Sequence, residues 1–173
     1  LMPHGEGRFA VTRRVPLGPI AAITPFNFPL LLVAHKLAPA LAAGNPIVLK
    51  PATKTPLSAL ILARLCSDHG VPPGALSVLP LDRGAADRLV TDDRFRLLTF
   101  TGSAAVGWEM KARAGRKRVV LELGGNAGVI VDASADLDHA VRRIVAGGFT
   151  YAGQSCISVQ RVYVHETLAD AFA

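Results

Sequence analysis

The chain has 173 residues, half of them hydrophobic and 18% charged. That length holds one compact domain, or one domain and the start of another, and the apolar content excludes a disordered polymer. Lys and Arg number 19 against 13 Asp and Glu, a formal charge of +6 that is spread along the chain. The one local knot, Arg113, Arg116, Lys117 and Arg118, reads as a solvated helix end, or as a surface favourable to a phosphate. Nucleic-acid binding needs a broader basic surface than this.

Taken in order, the weakly alternating Phe9–Val15 segment reads as an arm or edge strand. Gly18–Thr24 is a short apolar strand. Leu30–Ala43 carries Leu31, Leu32, His35, Leu37 and Leu41 at helical steps, with Pro39 expected to kink or interrupt the helix. Gly44-Asn45-Pro46 stops it, and Ile47–Leu49 is a buried strand ending at Lys50. Thr55 as N-cap and Pro56 open a helix that runs to His69 and closes at Gly70. Strand Leu76–Leu79, a helix near Ala85–Val90, strand Leu97–Phe100 and a helix from Ser103 to about Ala114 follow. Then come strands Val119–Leu123 and Gly128–Val131 and helix Leu137–Val145. Alternating strands and helices predict βαβ units and an α/β, doubly wound, mainly parallel Rossmann-like sheet, with strands buried on both faces. No repeat and no long linker divides the chain.

Two cysteines, Cys66 and Cys156, stand far apart, with no CxxC pair and no Cys/His zinc spacing. A disulfide framework and a structural metal are therefore not expected, and a reducing, cytoplasmic setting is. No apolar stretch is long enough to span a bilayer, and no signal segment opens the chain, so no membrane partner is expected.

Gly5–Ala10 matches GxGxxA formally, but no apolar strand precedes it and it carries no argument. The stronger phosphate candidate is Phe100–Gly107, where a strand runs into a helix through Thr101-Gly102-Ser103. Amides at a helix start, with the Ser103 hydroxyl and a Gly102 that admits close approach, suit an anion; a simple Ser cap is the alternative. Lys50 leaves a buried strand at its carboxyl end, where ligands of open α/β sheets bind, although a surface Lys would look the same.

Cys156 lies in Gly153-Gln154-Ser155-Cys156, a loop of small and polar residues unlike a core setting. Cys66, on the apolar face of a helix with Leu62 and Leu65, reads as core. Glu122 ends an apolar strand, where burial would raise its pKa and suit it as a base; a capped or ion-paired strand end is the alternative. Asn27, held in Pro25-Phe26-Asn27-Phe28-Pro29, offers an amide donor to a developing oxyanion, or is a turn residue.

Together, TPFNFP (24–29), NPIVLKPA (45–52), FTGSAAVG (100–107), LELGGN (121–126) and GQSC (153–156) resemble, in order and over nearly the whole chain, the NAD(P)-dependent aldehyde dehydrogenase superfamily. GQSCISVQR most resembles its lactaldehyde, semialdehyde and phosphonoacetaldehyde branch. The resemblance implies that Cys156 attacks a small aldehyde, that Asn27 and the Cys156 amide hold the oxyanion, and that Glu122 activates water against the resulting thioester. It implies that Lys50 holds the adenosine ribose, that Gly102 and Ser103 meet the pyrophosphate, and that Ile23, Thr24 and Leu123 line the cofactor groove. It divides the chain into an arm (1–16), most of an NAD(P)-binding domain (17–125) and the start of a thiol-bearing catalytic domain (126–173). A homo-oligomer is implied as well.

Two departures from the family pattern matter. Many NAD-preferring members carry an acid where this chain has Thr53, followed by Lys54, so NADP is expected to be tolerated or preferred. A Glu-x-Phe-Gly-Pro motif that follows the family's Cys is absent, so the chain reads as an internal piece with little or no turnover alone. A non-catalytic nucleotide-binding or assembly module and a cysteine hydrolase are the competing readings. An acylating, CoA-dependent dehydrogenase is disfavoured by Glu122.

Overall fold

Ile20–Ile23, the strand β1, is buried at all four positions, because consecutive residues point into two different cores. Ile20 and Ala22 face one, with Val33, Leu37, Leu49 and Ala59; Ala21 and Ile23 face the other, with Leu89, Val90, Leu98 and Phe100. A strand covered on both sides has no polar face, which is why it reads as a continuous apolar run. This computed structural model describes residues 3–173.

Around β1 lie β2 (Ile47–Lys50), β3 (Leu76–Val78), β4 (Leu97–Thr101) and β5 (Arg118–Glu122), all parallel, in the order β3-β2-β1-β4-β5. Helices α1 (Leu31–Ala42) and α2 (Leu57–Asp68) cover one face, and α3 (Arg83–Thr91) and α4 (Ala104–Arg113) the other. The chain leaves β1 for one face and β4 for the opposite face. The crevice between the carboxyl ends of these neighbouring strands is the switch point at which such sheets bind ligands. Its rim is the 24–30 loop and Gly102-Ser103.

A second, two-stranded parallel sheet follows: β6 (Ala127–Val131) and β7 (Val159–Val164), joined through α5 (Leu137–Phe149). Asp136 caps α5, its side chain accepting from His139 N at 2.9 Å. No helix among the described residues is long and apolar enough to cross a membrane.

Several expectations change. Phe9–Val15 forms no strand; Phe9 is 92% exposed, and no neighbouring strand edge offers it hydrogen-bond partners. Pro39 does not end α1, which runs on to Ala42. Thr55 does not cap α2: Pro56 already has helical dihedrals, and the Thr55 hydroxyl is buried without a partner among the described residues. Gly102 is required by packing: a Cβ there would come within 2.5 Å of the Phe100 ring.

Candidate active site

The Pro25–Pro29 loop leaves the carboxyl end of β1, and the Gly153–Cys156 loop follows α5. Two contacts join them. The Asn27 side-chain amide donates to the Gln154 carbonyl at 2.8 Å, and the Phe28 and Tyr151 rings stack with centroids 4.6 Å apart. Tyr151 and Ala152 hold left-handed backbone, at φ 59° and 54°. Non-glycine residues adopt that region at a cost of about 1–3 kcal/mol each. The thiol loop is thus held in a shape its sequence alone would not prefer.

From the other side, Gly124-Gly125 continues β5 toward the thiol. A Cβ on Gly125 would lie 2.7 Å from the Cys156 carbonyl oxygen, so only glycine lets these two backbones meet. The three approaches enclose a cavity of about 270 Å³ whose lining includes Asn27, Glu122, Cys156, Gly102, Ser103 and Leu123. Three side chains distant in sequence therefore open on one space. Cys156 is exposed and unpaired with Cys66. Asn27 is half-buried, and its Oδ1 is buried without a partner among the described residues. One of its two amide hydrogens goes to Gln154, which leaves the other for a ligand. The Ser103 side chain makes no cap to α4, so its hydroxyl is uncommitted.

Glu122 departs from expectation. It is exposed, because β5 is an edge strand whose residues 118, 120 and 122 face outward. The burial that was to favour it as a base is not found in this chain. The structure adds a residue that helical periodicity does not single out. Lys36, on α1, is only 8% exposed and donates to the Thr99 hydroxyl at 2.8 Å. Burial pulls its ammonium down to about 8, and the Glu122 carboxylate partly opposes that shift. Lys36 and His35 line a groove that reaches both Glu122 and Cys156. The available signal was a polar pair, His35-Lys36, set into an otherwise apolar helix.

A separate groove of about 640 Å³ runs between α3 and α4. Its lining includes Ile23, Lys50 and Thr53, with Phe100 and Val106 giving an apolar wall. The Lys50 ammonium donates to the Pro51 carbonyl at 3.0 Å and is held below its ordinary value by burial, partly offset by the Asp82 carboxylate. A cation and a hydroxyl beside an apolar wall fit a ribose-phosphate ligand carrying a flat base. The expected cofactor residues thus divide between the two spaces. Ile23, Lys50 and Thr53 line the groove, and Gly102, Ser103 and Leu123 line the thiol cavity. Thr24 lines neither: it is 4% exposed, and its amide donates to the Lys50 carbonyl at 3.1 Å.

The model of the aldehyde dehydrogenase family matches residues 1–173. The chain belongs to that family. It is 50% identical over 171 residues to the 3-sulfolactaldehyde dehydrogenase of Priestia megaterium, a match covering 98% of this chain and 36% of that protein. The crystal structure of aldehyde dehydrogenase 21 from Physcomitrella patens, in complex with the reaction product succinate, superposes with a TM-score of 0.87 at 57% identity. That match covers 91% of this chain and 33% of the other. Glyceraldehyde-3-phosphate dehydrogenase from Methanocaldococcus jannaschii, complexed with NADP, superposes with a TM-score of 0.87 at 44% identity over 92% of this chain and 36% of the other. The chain spans about a third of the length of these relatives.

Proposed function

We propose that this chain carries the catalytic thiol and most of the cofactor groove of an enzyme that oxidises a small, polar aldehyde to its carboxylic acid with NAD or NADP. The observation that carries the reading is the shared cavity of Asn27, Glu122 and Cys156.

In this mechanism the Cys156 thiolate bonds to the aldehyde carbon, and the carbonyl oxygen becomes an oxyanion. The second amide hydrogen of Asn27 and the backbone N–H of Cys156 hold that charge. NAD or NADP held along the Lys50 and Thr53 groove would supply the acceptor for the hydride that leaves this carbon. The oxyanion then re-forms a carbonyl, which leaves a thioester on Cys156. Glu122 takes a proton from water as the water oxygen bonds to the thioester carbon, and the sulfur departs with the acid released. The Glu122 carboxylate favours the charged form of the buried Lys36.

Lys50 and Thr53 would bind the adenosine ribose, and Ser103 the pyrophosphate. The absence of an acid at Thr53 supports acceptance of NADP, as does the relative complexed with it. The names of the relatives, with sulfolactaldehyde as one substrate and succinate as one product, support a small aldehyde bearing a polar end. Residues 17–125 would form the cofactor domain, and 126–173, which contain the second sheet, the start of the catalytic domain. Residues 1–16, exposed over most of 3–16, would serve as an arm between copies of a homo-oligomer. Two unpaired thiols suit a reducing compartment such as the cytoplasm.

Thiol labelling of the full-length protein tests the reading. Iodoacetamide should modify Cys156 in preference to Cys66, and aldehyde with NAD(P) should protect it. Cys156→Ala should abolish aldehyde-dependent reduction of the cofactor. Full activity in that variant would refute the mechanism.

A further inference from the structure

Lys36 carries a buried amine that the reaction proposed above does not use. It is 8% exposed and forms no ion pair among the described residues; its side-chain partner is the Thr99 hydroxyl of β4, at 2.8 Å. A lysine is seldom this buried without a carboxylate against it. The groove it lines, of about 650 Å³, carries three other titratable groups, His35, Glu122 and Cys156. Leu32, Thr101, Glu122 and Cys156 line both this groove and the thiol cavity, so the two spaces adjoin. An aldehyde small enough to reach the sulfur therefore has a path toward the amine.

An amine attacks a carbonyl only through a free lone pair, which an ammonium lacks. Burial disfavours the Lys36 ammonium and brings it down to about 8, with the Glu122 carboxylate partly opposing. At pH 7 about a tenth of such an amine is neutral, against less than about a thousandth of an ordinary lysine in water. In the neutral form, the hydrogen bond to Thr99 uses one N–H and leaves the lone pair free.

We infer that Lys36 is a second site of covalent capture for small aldehydes, its amine forming a reversible imine in the groove that Cys156 also lines. The nitrogen lone pair bonds to the aldehyde carbon. The carbonyl oxygen takes the two hydrogens that the nitrogen loses and leaves as water, so nothing is oxidised or reduced. Water reverses the bond by the same steps. The inference rests on the reading of the thiol cavity as an aldehyde site.

Reductive trapping on the full-length protein tests it. Propanal with sodium cyanoborohydride, and no dinucleotide, should convert the imine to a stable propyl-lysine that peptide mass spectrometry locates. A thiohemiacetal at Cys156 reverses on work-up and leaves no label. At neutral pH, buried Lys36 should be labelled about tenfold or more faster than the exposed Lys54 and Lys111, the reverse of the order that exposure alone would give. Protection of Cys156 from iodoacetamide by propanal, measured in parallel, separates the two ways of failing. Protection of Cys156 with Lys36 labelled no faster than Lys54 overturns the inference and leaves the cavity as an aldehyde site. Neither protection nor preferential labelling overturns the cavity reading and the inference with it.

Discussion

Asn27 and Gln154 are joined by a 2.8 Å hydrogen bond that ties the loop after β1 to the loop carrying Cys156. The same amide that fixes this distance has a second hydrogen for an oxyanion, so position and charge stabilisation depend on one side chain. Asn27→Ala should lower kcat by about 10²–10³, the usual loss for one oxyanion donor. Asn27→Asp should be at least as damaging, since it replaces the donor with a negative charge. Steady-state kinetics with a small aldehyde decide this; a kcat within twofold of wild type would sink the assignment.

The two adjacent glycines of LELGGN should behave differently. At Gly125 an added Cβ meets the Cys156 backbone oxygen at 2.7 Å, and neither backbone has a flexible end that can yield. At Gly124 nothing lies within 4 Å. Gly125→Ala should therefore be destabilised by about 1–3 kcal/mol, as overpacked sites are. Gly124→Ala should keep its thermal midpoint. Parallel melting curves of the two variants supply the comparison.

The central strands were legible because β1, β2 and β4 are covered on both faces and run mainly in apolar letters. Asn27, Glu122 and Cys156 were legible through motif order, not through any local pattern, since their meeting depends on the switch point between β1 and β4. Lys36 was not, because helical periodicity counts residues onto faces and cannot tell that one lysine packs down onto the sheet at Thr99. The expected burial of Glu122 failed for a related reason: whether a strand end is covered depends on its place in the sheet, and β5 lies at an edge. Phe9–Val15 shows the same limit, since alternation proposes a strand that only a partner edge can form.

Glu122→Gln separates the two chemical halves of the proposed reaction. Formation of the thioester does not need the carboxylate, whereas its hydrolysis does. Mixing the variant with aldehyde and NAD(P) should give a stoichiometric burst of reduced cofactor, then turnover slowed by about 10²–10⁴. Loss of the burst itself would assign Glu122 to an earlier step.

Lys36 makes a prediction about pH. Its value near 8, against an ordinary 10.5, comes first from burial. Below about pH 8 both the folded and unfolded chains hold the proton, and the fold carries the full cost of a buried ammonium. Between about 8 and 10.5 the folded chain has released it and the unfolded chain has not. The unfolded state then binds more protons, so this residue's contribution to stability rises with pH across that window. Lys36→Met should lack the rise. Melting temperatures of both proteins at about pH 7 and about pH 9.5 should show the wild type gaining on the variant. A constant gap would mean that Lys36 does not titrate in that range.

Thr53 tests cofactor choice directly. It lines the groove with Lys50, and its hydroxyl neither repels nor charges a ligand. Thr53→Glu places a carboxylate there. Against NAD that group can accept from the ribose 2′-hydroxyl; against NADP it meets a phosphate of like charge. Two charges about 4 Å apart near a protein surface interact by a few kcal/mol, and solvent screening reduces this further. The ratio of kcat/KM for NADP to that for NAD should therefore fall by about tenfold or more. Because the repulsion is electrostatic, the fall should shrink at high ionic strength, whereas a steric effect of the longer side chain would not. Measuring the ratio in low and high salt thus distinguishes charge from size, and a ratio that does not change on substitution would place the 2′ end of the ribose away from Thr53.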